Sequence, residues 1–158
     1  MRHTVLQGGS MDFTDAIRAH RAWKDRLRVA MAKRESLDLS KIEMDCHCEL
    51  GQWLHTECKS AYGHLPEYVD CLAAHADFHR EIAKAASLIN AGQFMAADRL
   101  LNAGTPFAYA SESLSKKLVL LVGKIRELIG SQESTMIDSQ VLLEAADKLR
   151  AAAAPSTD

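Results

Sequence analysis

The chain has 158 residues, a formal net charge of −2, and 47% apolar and 25% charged residues. That length suits one compact domain with a substantial core rather than two, and the near-neutral balance offers no basic surface for nucleic acid. No apolar run reaches the roughly 18–20 residues that cross a bilayer, and the start has no secretory pattern, so the expectation is a cytoplasmic protein without membrane insertion.

The opening MRHTVLQGGS has no periodicity and ends in a linker-like GGS before Met11. Residues 1–10 therefore read as a tag or linker, and His3 is set outside any site. From Phe13, apolar and aromatic positions recur every three or four residues through Ala16, His20, Trp23, Leu27 and Ala30, which predicts a helix. Asp38 or Ser40 can cap a second helix running to about Cys58. AYGHLPEY breaks the pattern, and Pro66 suits the first position of a third helix, where its missing N–H costs nothing. Tyr68, Leu72, His75, His79, Ile82, Ala86 and Ile89 form one seam of that helix. NAGQF interrupts it, a short helical piece covers Ala96 to Leu101, and NAGTP breaks the chain again. Phe107, Ser111, Leu114, Leu118, Leu121, Ile125 and Leu128 mark the last long helix, with Gly130 expected to stop it. A tail helix from about Thr135 to Ala152 carries Val141, Leu142, Ala145 and Leu149 on one side, and the final APSTD is expected to fray. No alternating strand and no repeat is visible. The predicted fold is all-α, an antiparallel four-helix bundle with an additional C-terminal helix. The apolar side of the tail calls for a partner chain or an intramolecular docking site.

Cys46, Cys48, Cys58 and Cys71 sit inside helical patterns, which points to reduced thiols in a cytosolic protein rather than a disulfide scaffold. Three histidines occupy seam positions where a bundle places leucine. His20 aligns with Phe13 and Leu27; His75 and His79 align with Leu72 and Ile82. Burying an imidazole without partners costs about 1–3 kcal/mol, so three in one core need a shared reason. Each can be satisfied separately by a carboxylate or a carbonyl. The spacing of His75 and His79 also puts two rings one turn apart on one face, as two ligands of one metal require.

Further ligands must come from other helices, and DCHCELGQWL (Asp45 to Leu54) offers sulfur. Zinc takes imidazole nitrogen and thiolate sulfur at about 2.0–2.3 Å in a tetrahedral shell. Periodicity favours Cys46, which aligns with Ile42, Leu50 and Trp53. Cys48 lies on the arc of Met44 and Gly51, where the bare glycine lets a neighbour or a metal approach. Either cysteine can equally be a small buried apolar residue. Spacing leaves the choice open.

HRAW (His20 to Trp23), DCHCELGQWL and HADFH (His75 to His79) follow one another on successive predicted helices. Together they resemble the chemoreceptor zinc-binding (CZB) domain, a bacterial regulatory module with the pattern H-x-x-W, C-x-L-G-x-W-L, H-x-x-F-H. The resemblance covers about residues 11–130, leaving 131–158 as tail helix and frayed end. It implies a four-helix fold holding one Zn2+ through His20, Cys48, His75 and His79. Trp23, Trp53 and Phe78 would be packing residues, with Asp45 and Asp77 as candidate partners behind the imidazoles and Gly51 as the close-approach glycine. Four protein ligands close the shell, which argues against hydrolytic chemistry and for a non-catalytic regulatory role. The resemblance further implies a homodimer that acts on a signalling protein, a chemoreceptor or a cyclic-di-GMP-synthesising enzyme, in the same chain or another. Cys48 is the redox-sensitive atom, since an oxidant such as hypochlorous acid can attack the thiolate and release the metal. Two other classes compete: a structural adaptor that docks through Val141–Leu149 with zinc as a mere staple, and a non-haem iron bundle, which wants inward carboxylates that the seam lacks. His47, His55, Cys58 and His64 could form a minor second metal site, although surface roles suit them better.

Overall fold

The computed structural model describes the backbone of residues 13–152 and the side chains of residues 14–132. Over that range every regular element is helical: α1 Phe13–Arg21, α2 Trp23–Lys33, α3 Leu39–Glu43, α4 Glu49–Trp53, α5 Lys59–Tyr62, α6 Pro66–Asn90, α7 Phe94–Leu100 and α8 Pro106–Ala152. A 3₁₀ turn, Asp45–His47, precedes α4, and a π turn, Leu54–Cys58, joins α4 to α5. The first compact unit runs through Val122 and the second begins at Gly123.

Pro66 occupies the start of α6 as expected, and the residue before it, Leu65, is extended (φ −80°, ψ 136°), the backbone state that a following proline favours. Gly92 sits at φ 72° just past the end of α6, a left-handed conformation that a side chain resists. α6 buries Tyr68, Cys71, His75, Phe78, His79, Ile82 and Ile89, a spacing of three and four that turns one face of the helix into the core. Around it lie Leu27 of α2, Leu50 of α4, Leu54 of the π turn, Leu101, and Leu118 and Leu121 of α8, all essentially without solvent contact.

Contacts along α6 fix the direction of the segments beside it. Ile42, Cys48 and Leu54 meet His79, His75 and Tyr68 in turn, so the segment from α3 to α5 runs against α6. Lys117 pairs with Asp70 at 2.6 Å and Phe107 stacks on Phe78 at 5.8 Å, so this part of α8 also runs against α6. His20 lies beside His75, while Leu37 exchanges two hydrogen bonds with the Asn90 side chain, so α1 and α2 run with α6.

Two expectations change. The second helix is not continuous from Asp38 to Cys58: Met44 is extended (φ −80°, ψ 97°) and ends α3. Gly130 does not stop the last helix, because α8 continues to Ala152 and absorbs the expected tail helix. A glycine inside a helix costs only about 1 kcal/mol relative to alanine, and residues 131–152 contain no proline to force an end. Residues 1–10, the side chains of Phe13, Val141, Leu142, Ala145 and Leu149, and the final APSTD lie outside the described residues.

Candidate metal centre

The sulfur-bearing segment is built by a break, not by a helix. After α3 ends, Asp45–His47 makes a 3₁₀ turn and Cys48 is extended (φ −79°, ψ 160°), capping α4. Its Sγ accepts the Gly51 N–H at 3.2 Å, the role a serine or aspartate oxygen ordinarily fills at a helix start. A Cβ on Gly51 would overlap the carbonyl oxygen of Asp45 and press within 3.0 Å of Cys46 Cα. The glycine is therefore required by the preceding turn folding back over α4, not by a neighbouring helix or by a metal. This break also sets the two cysteines apart in exposure. Helical periodicity through Ile42 and Trp53 would bury Cys46, but the register is lost at Met44; Cys46 is exposed and Cys48 half-buried.

His20, Cys48, His75 and His79 come together, each offering one ligand atom, and these four atoms lie within 4.8 Å of one another. α1 supplies His20, and successive turns of α6 supply His75 and His79, whose ring centroids are 4.6 Å apart. His20 Nδ1 donates to Ala16 O at 2.6 Å, and His79 Nδ1 donates to Ile42 O at 2.8 Å. A carbonyl oxygen only accepts, so both rings carry their proton on Nδ1 and a bare lone pair on Nε2. Both of those Nε2 atoms are buried with no hydrogen-bond partner. His75 turns its Nε2 to Cys48 Sγ at 3.2 Å, and its Nδ1 lies 3.8 Å from Asp45 Oδ2. Orphaned buried nitrogens are rare in folded proteins. Two of them beside a third imidazole and a thiol form a soft N/S donor set of the kind Zn2+ takes. The donor set fits Zn2+.

Electrostatics prepare the nitrogens and hold back the sulfur. Burial, reinforced by the neighbouring histidines His79, His20 and His55, pushes His75 down to about 2, and burial also lowers His20. These rings are thus neutral across the physiological range, as metal ligation requires. Burial raises the Cys48 thiol, with the Asp45 carboxylate adding to the effect and the Gly51 and Leu50 N–H groups opposing it. The metal-free sulfur keeps its proton, which a metal would have to displace.

The remaining expected residues separate clearly. Asp45 Oδ2 stands between His75 Nδ1 and His55 Nε2, the latter at 3.4 Å. Asp77 points outward and pairs with Arg80, because position 77 falls on the exposed face of α6. Phe78 is fully buried against His20, with centroids 5.3 Å apart. Trp23 is half-buried under the Arg26 guanidinium, and Trp53 is half-buried. His47, His55 and His64 are exposed while Cys58 is buried, and among the described residues no second group of metal-capable side chains forms from them. The sequence reading missed the Ala16 and Ile42 carbonyls and the place of His55 beside Asp45. Backbone acceptors leave no mark in residue type. A helix ending near Ile42 would have pointed to its carbonyl, since the last turn of a helix leaves acceptors free.

Residues 20–86 match the family model described as the chemoreceptor zinc-binding domain, a span that contains all four clustered residues. No curated protein and no solved structure matches the chain.

Proposed function

Because residues 20–86 match the chemoreceptor zinc-binding domain model, we propose that this chain is a non-catalytic regulatory module whose Zn2+ occupancy is the signal, with His20, Cys48, His75 and His79 as the four ligands. The observation that carries the assignment is the pair of buried, unpartnered Nε2 atoms of His20 and His79 beside the Cys48–His75 contact. When bound, Zn2+ supplies a cationic centre that draws these donors together. With three neutral imidazoles and one thiolate the net charge is about +1, and the Asp45 carboxylate offsets it. All four donors come from the protein, which leaves no position for a reactive water and argues for no catalysis. The cluster contains no carboxylate, which argues against an iron bundle.

The ligands belong to three separate stretches of chain: α1, the turn before α4, and α6. Their convergence clamps those stretches together, so metal loss leaves polar nitrogens facing one another in an apolar core and loosens the packing. The opposed contacts along α6 support the reading of the first unit as an antiparallel four-helix bundle. Cys48 is the weak point, since oxidation of its sulfur removes a ligand. The reading extends to a cytoplasmic homodimer that passes the change in packing to a signalling partner, a chemoreceptor or a cyclic-di-GMP enzyme. Free cysteines are consistent with that compartment. Among the described residues, no helix is long and apolar enough to cross a membrane.

Metal analysis of the purified chain tests the site. The expected result is one zinc per chain, lost in Cys48→Ala and in His75→Ala. Stoichiometry near one in both variants contradicts the ligand set. Partner binding by the zinc-loaded and chelated forms tests the signal; equal binding by both folded forms leaves zinc as a staple only.

A further inference from the structure

A second cysteine lies two residues before Cys48 and takes no part in the four-residue centre. Cys46 lies in the 3₁₀ turn and is exposed, whereas Cys58 and Cys71 are buried. The Cys48 sulfur is turned back onto that turn and lies 3.6 Å from the carbonyl oxygen of Asp45, whose peptide bond is completed by the nitrogen of Cys46. Gly51 brings both residues over the first turn of α4. Its N–H is 3.2 Å from Cys48 Sγ, and Cys46 Cα is 3.0 Å from where a Cβ of residue 51 would stand. The two cysteines thus share one reversal of the backbone.

Resting on the reading of Cys48 as the metal-binding sulfur, we infer that Cys46 is its resolving cysteine, closing a Cys46–Cys48 disulfide after Cys48 is oxidised. The co-reactant is a two-electron oxidant, hypochlorous acid or hydrogen peroxide. Cys48 Sγ takes the hydroxyl from it and becomes a sulfenic acid, while chloride or hydroxide leaves with the electron pair. The Cys46 sulfur then gives up its proton and attacks Cys48 Sγ. The S–S bond forms, the S–O bond breaks, and the departing hydroxide takes the proton as water. The two thiols have together lost two electrons to the oxidant. A dithiol reductant returns both, so the site regains its ligand. Without a resolving thiol the sulfenic acid goes on to sulfinic acid, from which ordinary reductants do not recover it. Cys58 and Cys71 do not compete, since both are closed to solvent within the core.

The zinc-loaded full chain is treated with hydrogen peroxide or hypochlorous acid, zinc release is followed with a chromophoric chelator, and the peptide spanning residues 45–53 is weighed. Wild type is expected to release its zinc, to lose two hydrogens on that peptide, and to rebind a full complement of zinc after dithiothreitol. Cys46→Ser is expected to bind zinc normally when reduced, to gain two or three oxygens at Cys48 on oxidation, and to rebind no zinc after reductant. Accumulation of sulfinic acid at Cys48 in wild type at the rate seen in Cys46→Ser overturns the inference. So does a disulfide that joins two copies through Cys46. Reduced Cys48→Ala separates this from the underlying reading: if it keeps its zinc, the ligand assignment fails, while the peptide masses still report on the disulfide.

Discussion

His79 donates its Nδ1–H to the carbonyl oxygen of Ile42 at 2.8 Å, so one ring ties α6 to the last turn of α3 and aims its free nitrogen at the cluster. The bond joins a fold-level contact to a ligand orientation. Replacing His79 by alanine removes the nitrogen and leaves the carbonyl buried without a partner. The expected outcome is loss of zinc binding, together with about 1–3 kcal/mol of destabilisation in the metal-free protein. Denaturant titration in the presence of chelator, alongside a zinc titration, measures both. His20→Ala is expected to lose zinc with less change in metal-free stability, because its Nδ1 bond stays within one helix, to Ala16.

Gly51→Ala puts a methyl group where the Asp45 carbonyl oxygen stands. The neighbour is backbone and gives way only if the turn carrying Asp45 and Cys46 moves, which carries the Cys48 sulfur with it. Overpacking of this kind costs about 1–3 kcal/mol. The substitution is expected to lower both the denaturation midpoint and the zinc affinity, although residue 51 touches no metal. A variant that unfolds at the wild-type midpoint contradicts the tight turn over Gly51.

The helical class, the breaks at Pro66 and Gly92 and the three seam histidines were legible because each is written in spacing or in turn chemistry. His20, His75 and His79 stand where periodicity puts them, and their rings form one cluster. The choice of sulfur was not legible from periodicity. That reasoning assumes one helix from Ile42 to Trp53, and the chain leaves the helix at Met44. Periodicity favoured Cys46 and spacing left the choice open; the motif C-x-L-G in the family pattern implied Cys48. In the structure the glycine three residues on accommodates the reversal and supplies the N–H that meets the Cys48 sulfur. The separation of Asp45 from Asp77 needed the same break, since the turn before α4 carries Asp45 toward His75 while Asp77 pairs with Arg80 on the exposed face of α6.

Asp45 and Asp77 make a matched pair of tests. Removing a carboxylate behind a ligating histidine typically costs about 10- to 100-fold in metal affinity. Asp45→Asn is expected to weaken zinc binding within that range in competition with a chromophoric chelator, at unchanged stoichiometry. Asp77→Asn is expected to bind as wild type does, since its exposed pairing with Arg80 lies away from the cluster. Equal effects of the two substitutions would remove Asp45 from its proposed place behind His75.

Zinc uptake should release protons. Burial raises the Cys48 thiol, so near pH 7.5 the metal-free sulfur is protonated and must give up its proton to bind. Calorimetry in buffers of different ionisation enthalpy is expected to report proton release on zinc binding by wild type. Cys48→Ser should release fewer protons and bind more weakly. Absence of release in wild type would mean the thiol is already ionised or takes no part.

The metal-free protein should be sensitive to acid in a defined direction. His75 titrates near 6.5 when unfolded and is pushed down to about 2 by burial when folded, and His20 is lowered in the same sense. Between those values the unfolded chain binds the extra proton, so stability rises with pH across the window and is complete above about 6.5. Lowering the pH from 7.5 to 5 in the presence of chelator is expected to reduce the unfolding free energy by up to about 1.4 kcal/mol per unit from His75 alone once below 6.5. His75→Leu should flatten that slope, because leucine fills the buried position without a titrating group. Denaturant melts at several pH values read the slope directly, and a wild-type profile as flat as that of His75→Leu would mean that His75 does not enter the metal-free core as a neutral ring.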